Sequence, residues 1–275
     1  MPELPEVETV VRDLRAAGLV GCKVQRMTIR RAKLISQPSP QAFARRLRGQ
    51  GIIAIQRRAK YILLSLNGGA TLIVHLGMTG QIRLVSAKTP RDDHEHLWLT
   101  FDRGHELRFH DTRMFGHWWL VRDPQVVLGK LGPEPLAVEF SAKDFIQRLA
   151  AHRRQLKPLL LDQTFLAGLG NIYADETLWE ARLHPKRRSH TLSRPEQARL
   201  FRAIRKVLRQ GIRFRGTSFG AGETTFYSGN HRRGQNQIRL KAYGRTGEPC
   251  PRCRTKIARL LVGQRATHFC PRCQR

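Results

Sequence analysis

Residues 52–66 read IIAIQRRAKYILLSL, and the chain keeps that character through ATLIVHL (70–76), QIRLV (81–85), HLWLTF (96–101), ELRFH (106–110) and HWWLV (117–121). Short β-branched and aromatic segments, broken by the turn sequences NGG, GMTG and DRGH, predict strands joined by hairpins. Several such strands in succession point to an antiparallel sandwich. Upstream, Leu4, Val7, Val10, Val11 and Leu14 recur at steps of three and four across residues 3–17. That spacing predicts an amphipathic helix, which Gly18 and Gly21 end. Downstream, the strand pattern stops at LGPEPLAVEF (131–140), where two prolines stiffen the chain.

Residues 132–140 are therefore read as a linker between a domain of residues 1–131 and a helical domain of residues 141–245. Ser141 with Asp144 and Ser193 with Glu196 have the spacing of capping boxes, the second opening a helix that runs to about Arg209. Shorter helices are expected near 156–162 and 171–182, joined by TFLAGLG. Residues 216–237, GTSFGAGETTFYSGNHRRGQNQ, are polar, glycine-rich and without period, which predicts a functional or disordered loop.

Cys22 stands alone, whereas Cys250-Pro-Arg-Cys253 and Cys270-Pro-Arg-Cys273 repeat one motif sixteen residues apart. Each CxxC turn presents two thiolates to a tetrahedral ion, so residues 246–275 read as a zinc ribbon holding one structural Zn2+. The expected fold class is α+β and multidomain: an N-terminal helix with an antiparallel sandwich, a helical domain, and the ribbon.

The 275 residues include 50 Lys and Arg against 21 Asp and Glu, a formal charge of +29. Residues 151–275 alone carry 27 basic and 7 acidic side chains. Such an excess is self-repulsive and indicates a polyanionic partner, nucleic acid above all. No apolar run approaches the roughly 18 residues that span a bilayer, so no membrane partner is expected. MPELPEVETV carries acidic residues where a secretory signal carries basic ones, and a cytoplasmic protein is expected.

Position 2 is proline. If Met1 is removed, a free secondary amine heads the chain, and an α-amino group titrates near 8 rather than the roughly 10.4 of lysine. A useful fraction is then nucleophilic at neutral pH. Glu3 and Glu6, at i and i+3, share one face of the first helix within reach of that amine. Proline and glutamate in a first helical turn are also what helix chemistry favours by itself.

The string PELPEVET (2–9) resembles the signature of formamidopyrimidine-DNA glycosylases, and the later motifs follow in that family's order. RRAKYILL around Lys60 is similar to the family's lysine-bearing strand, HLGMTG around Met78 to its intercalation loop, and DTRMFG around Arg113 to its second wedge. LDQTFLAGLGNIYADETLW resembles the helix-two-turns-helix element, and YGRTGEPCPRC opens a similar zinc ribbon. The resemblance implies a bifunctional DNA glycosylase and abasic-site lyase of base excision repair. Such an enzyme removes 8-oxoguanine and formamidopyrimidines through an N-terminal proline Schiff base, then β- and δ-elimination.

By the same resemblance Pro2 is the nucleophile, Glu3 the general acid/base, Glu6 a supporting carboxylate and Lys60 a phosphate contact. Asn171 and Arg265 grip phosphates flanking the lesion, Met78, Arg113 and Phe115 fill the gap left by the everted nucleotide, and residues 216–237 cap it. The implied partner is double-stranded DNA bearing oxidised bases or abasic sites, bound by a monomer. Two departures stand out: Thr112 where the family commonly has proline, and NHRRGQNQIRL after ETTFYSG. An endonuclease VIII-like enzyme for oxidised pyrimidines is the nearest alternative, although it usually opens PEGPE. A non-catalytic lesion-binding relative is the second. His94, His96 and His110 alternate with apolar neighbours, as outward strand positions do.

Overall fold

Leu4, Val7, Val10, Val11 and Leu14 form the buried face of α1 (Leu4–Ala16), and each such side chain contributes about 1.5–3 kcal/mol by leaving water. The structure, a computed structural model, describes residues 1–220 and 226–275. Two compact units divide the chain: Met1–Gly129 with Phe214–Gln235, and Lys130–Arg213 with Asn236–Arg275.

In the first unit α1 is followed by β1 (Val24–Ile29), β2 (Ile35–Gln37), α2 (Pro40–Leu47), β3 (Ile52–Arg58) and β4 (Tyr61–Leu66). Then come β5 (Thr71–His75), β6 (Gln81–Ser86), β7 (Glu95–Phe101), β8 (His105–His110), β9 (His117–Val121) and α3 (Gln125–Leu128). The strands make two sheets, ordered β1-β7-β8-β6 and β2-β9-β5-β4-β3. Val7 and Leu14 of α1, Ile55 and Leu64 of one sheet and Leu99 and Phe109 of the other share a single apolar core. Strand pairing is antiparallel except at β2, which runs parallel to β9.

Residues 52–66 prove to be a hairpin. Arg58 pairs with Tyr61, so Ala59 and Lys60 form its two-residue turn, and Ala59 adopts φ +53°. Lys60 is therefore a turn residue rather than a strand residue.

The second unit contains α4 (Ala142–Ala150), α5 (Leu156–Leu161), α6 (Asn171–Ala181) and α7 (Arg194–Arg213), then β10 (Ala258–Val262) and β11 (Arg265–Phe269). Ser141 and Asp144 close the expected capping box, and Glu196 accepts the Ser193 backbone N–H at 2.8 Å. The proposed linker, 132–140, is instead built into this unit. Gly132 N–H donates to Gln163 O (2.8 Å), and the buried Phe140 ring meets Phe201 and Phe145.

Segment 214–235, assigned from sequence to the helical domain, packs within the first unit. Arg215 pairs with Asp13 at 2.7 Å, and Phe226 joins the sandwich core. The cap expected over 216–237 includes residues 221–225, which lie outside the described residues.

Candidate functional site

The start of α1 is held by its own carboxylates. Glu6 Oε2 accepts the Glu3 backbone N–H at 2.8 Å, and Glu6 Oε1 accepts the Thr217 backbone N–H at 2.7 Å. Both carboxylates are buried. Gly216 makes this approach possible: it sits at φ +80°, and a Cβ there would lie 2.9 Å from Glu6 Cγ. Any other residue would be strained and would press on the carboxylate. Glu6 thus ties the helix start to the strap that begins at Gly216.

The Met1 α-amino group, one residue ahead of Pro2, lies in the field of Glu3, Glu6, Lys60 and Arg113. Burial holds it below its usual 8.0 against the upward pull of the two glutamates, which enlarges the unprotonated fraction at neutral pH. Lys60 is only 5% exposed, so it does not reach out to solvent. Beneath the hairpin, His75 is depressed to about 4 by burial, with the Lys60 and His117 charges adding to the effect. Its Nδ1 accepts the Gly77 N–H at 3.2 Å, as a neutral imidazole does.

Two loops meet beside it. Thr79 Oγ1 donates to Asp111 Oδ1 (2.5 Å) and accepts the Arg113 N–H (3.2 Å), while Gly116 N–H donates to Asp111 Oδ2 (2.8 Å). Gly77, at φ +64°, lies so close to the Phe115 carbonyl that a Cβ would approach to 2.4 Å. Asp111 thereby fixes Met78, Arg113 and Phe115 as one cluster. The Arg113 guanidinium lies 4.9 Å above the Phe115 ring and 3.9 Å from Met78 Sδ. Phe115 remains 48% exposed, an apolar ring held in water.

In the second unit Asn171 opens α6 after Gly170, its N-cap residue, so Asn171 is not itself the cap. Its Nδ2 donates to Ala266 O at 3.1 Å, which brings it beside exposed Arg265. Arg265 starts β11 immediately after a tight turn in which Gly263 and Gln264 have φ +54° and +60°. A buried network fixes this corner. Lys157 Nζ donates to Asp175 Oδ1 (2.6 Å) and Ala266 O (2.9 Å), and Asp175 Oδ2 accepts the His268 N–H (2.8 Å). Next to it, Glu176 accepts the backbone N–H groups of Lys241, Ala242 and Tyr243, each at 2.8 Å. Burial still pushes the Glu176 carboxyl above its ordinary range.

The sulfurs of Cys250, Cys253, Cys270 and Cys273 lie within 4.8 Å of one another. Tetrahedral Zn–S bonds of about 2.3 Å require that crowding. Burial and the adjacent sulfurs push Cys273 up to about 12, a cost that a divalent cation removes by binding thiolates. With sulfur at all four positions no ligand site is left for water, so the ribbon's one zinc is structural.

Residues 1–118 match the formamidopyrimidine-DNA glycosylase N-terminal domain, 131–222 the H2TH domain of that enzyme, and 247–275 a zinc finger found in FPG and IleRS. Formamidopyrimidine-DNA glycosylases of Herpetosiphon aurantiacus and Protochlamydia amoebophila are 49% and 44% identical to the chain, with full coverage on both sides. The chain belongs to the formamidopyrimidine-DNA glycosylase family. Solved members include a point mutant of the Lactococcus lactis Fpg in complex with DNA containing Fapy-dG, at TM-score 0.92 and 37% identity over all of both chains. The L. lactis complex with DNA containing an abasic site gives TM-score 0.91 over 99% of each chain.

Within this glycosylase fold the structure collects Pro2, Glu3, Glu6 and Lys60 at one end of α1, and Met78, Arg113 and Phe115 in one cluster. Asn171 and Arg265 meet at the ribbon turn. Sequence reasoning missed Lys157, Asp175, Glu176 and His268; a lysine and acids on otherwise apolar helices, at LKPLLL and NIYADE, were the available signal. His96 and His110 are buried, not outward, with His96 Nε2 donating to Asp111 O at 3.1 Å.

Proposed function

We propose that this glycosylase excises oxidised purines, 8-oxoguanine and formamidopyrimidines, from duplex DNA, and then cuts the strand by β- and δ-elimination. The reading is carried by one observation: the chain start is gathered with the buried side chains of Glu3, Glu6 and Lys60, so that removal of Met1 would leave the Pro2 nitrogen beside two carboxylates and an ammonium. With Met1 removed, the Pro2 nitrogen forms a bond to C1′ as the base departs with its bonding pair and takes up a proton. The nitrogen gives up its proton, the C1′–O4′ bond breaks as O4′ is protonated, and the opened sugar is an iminium whose C2′ proton is acidic. Its loss expels the 3′ phosphate, a second elimination expels the 5′ phosphate, and water releases the amine.

Glu3 serves as the proton carrier, a role worth about 10²–10⁴-fold in rate. Glu6, bound to two backbone N–H groups, holds Glu3 and the amine in place. Extruding a nucleotide costs a few kcal/mol. Phe115 and Met78 offset it by filling the stack, and Arg113 by pairing with the orphaned base. Lys60, Asn171 and Arg265 are assigned to phosphates.

The names of the relatives and the Fapy-dG and abasic-site DNA bound by the L. lactis proteins support this substrate class. Leu4 in PELPE favours it over oxidised pyrimidines. Duplexes carrying 8-oxoguanine, formamidopyrimidine or thymine glycol, incubated side by side, test the choice. Faster incision at the two purine lesions, leaving phosphate at both ends of the gap, is expected. Preference for thymine glycol overturns the substrate reading, and intact strands with all three overturn the enzyme reading.

A further inference from the structure

α7 carries seven basic side chains and one acidic one, Glu196. Its buried face is Leu200, Phe201, Ile204 and Leu208. On another face Arg199, Arg202, Lys206, Arg209 and Arg213 follow at steps of three, four, three and four, one continuous stripe of about 21 Å. Arg202, Lys206, Arg209 and Arg213 are exposed.

Near one end the stripe borders a concavity of about 590 Å³ that Arg182 and Arg252 also line. Five cationic side chains face one carboxylate there, Glu180, which pairs with Lys206 at 2.6 Å and lies 3.5 Å from Arg252. The C-terminus of α6 explains part of this charge. Arg199 donates to Ala181 O and Arg252 to Trp179 O, satisfying the last carbonyls of that helix. It does not explain Arg202 and Arg209, which no acidic side chain among the described residues pairs. The corner of Asn171 and Arg265 lies at the opposite end of α6, about 16 Å away along the helix.

We propose that the exposed face of α7 is a second DNA-binding surface, which holds the phosphate backbone of a duplex segment other than the one bearing the lesion. A strand offers a phosphate about every 3.4 Å of axis, so 21 Å of stripe faces about six of them. A straight, evenly spaced and arginine-rich array matches that regular polyanion. Two segments held at once would let the enzyme pass between neighbouring stretches of DNA without release. The surface is separate from the proposed chemistry, and its failure leaves the excision reading intact.

The test uses zinc-loaded full-length protein saturated with a short tetrahydrofuran-containing duplex, then titrated with a labelled undamaged duplex. A ternary complex is expected, with salt-dependent affinity. Arg202→Gln/Lys206→Gln/Arg209→Gln should weaken it at least tenfold and lower the slope of log affinity on log salt by about 2–3. Excision from the short duplex should stay unchanged. The set Arg26→Gln/Lys88→Gln/Arg103→Gln, equal in charge, should leave the ternary complex intact. Glutamine suits an exposed helix, and circular dichroism confirms that both triple variants fold. An unchanged slope, equal weakening by the second set, or binding of poly-glutamate in place of DNA would overturn the proposal, the last in favour of an acidic protein partner.

Discussion

Two buried carboxylate pairs, Glu3 with Glu6 in the first unit and Asp175 with Glu176 in the second, use the same chemistry to different ends. Asp175 is matched by Lys157 and His268, and Glu176 by three N–H groups, so the second pair is consumed in fixing a corner. Of the first pair, Glu6 is consumed in the same way, while Glu3 caps the helix through the Glu6 N–H and also acts on the Met1 α-amino group. Polar burial in the second unit therefore buttresses position. In the mechanism proposed above, that of the first unit prepares a reaction.

That contrast breaks most visibly at the ribbon. Chelating the zinc, or Cys253→Ala, should abolish binding of the lesion-bearing duplex, because the coordination energy, about 10–16 kcal/mol in small zinc modules, is what folds the turn that presents Arg265. Undiminished affinity of the metal-free protein would refute the role given to the ribbon. Next in size, Glu3→Gln should slow excision by about 10²–10⁴-fold with the fold intact, read by single-turnover kinetics beside a thermal melt. Lys157→Met should do the reverse, costing about 3–5 kcal/mol in urea denaturation by stranding the buried Asp175 charge. If Lys157→Met leaves stability untouched, the buttress reading fails.

A smaller effect concerns pH. His75 is held near 4 when folded against about 6.5 when unfolded. As pH falls from 6.5 to 4 the unfolded chain takes up the proton first, so stability declines across that window. His75→Gln should flatten the decline, and an unaltered acid limb would show that other groups set it.

Much of this architecture is readable in the sequence, for reasons particular to each part. The CxxC pairs are legible because metal geometry dictates their spacing, and α1 because its apolar positions keep helical steps. The capping residues Ser141 and Ser193 act on neighbours three positions away, so their signal is local. Lys60 reads as a strand residue because RRAKY contains none of the usual turn residues, yet Ala59 takes the left-handed conformation. The attachment of 214–235 to the first unit rests on Thr217 with Glu6 and Arg215 with Asp13, contacts across some two hundred residues that no local pattern announces. The Lys157–Asp175–His268 network is hidden for the same reason, since burial alone distinguishes those side chains from ordinary surface polar residues.

Borohydride reduction during turnover of an 8-oxoguanine duplex, followed by peptide mapping of the protein–DNA adduct, tests the central claim most directly. A single adduct on the nitrogen of Pro2, in a chain lacking Met1, is the expected result. An adduct on Lys60 or another lysine, or full strand cleavage by protein that retains Met1, would contradict it.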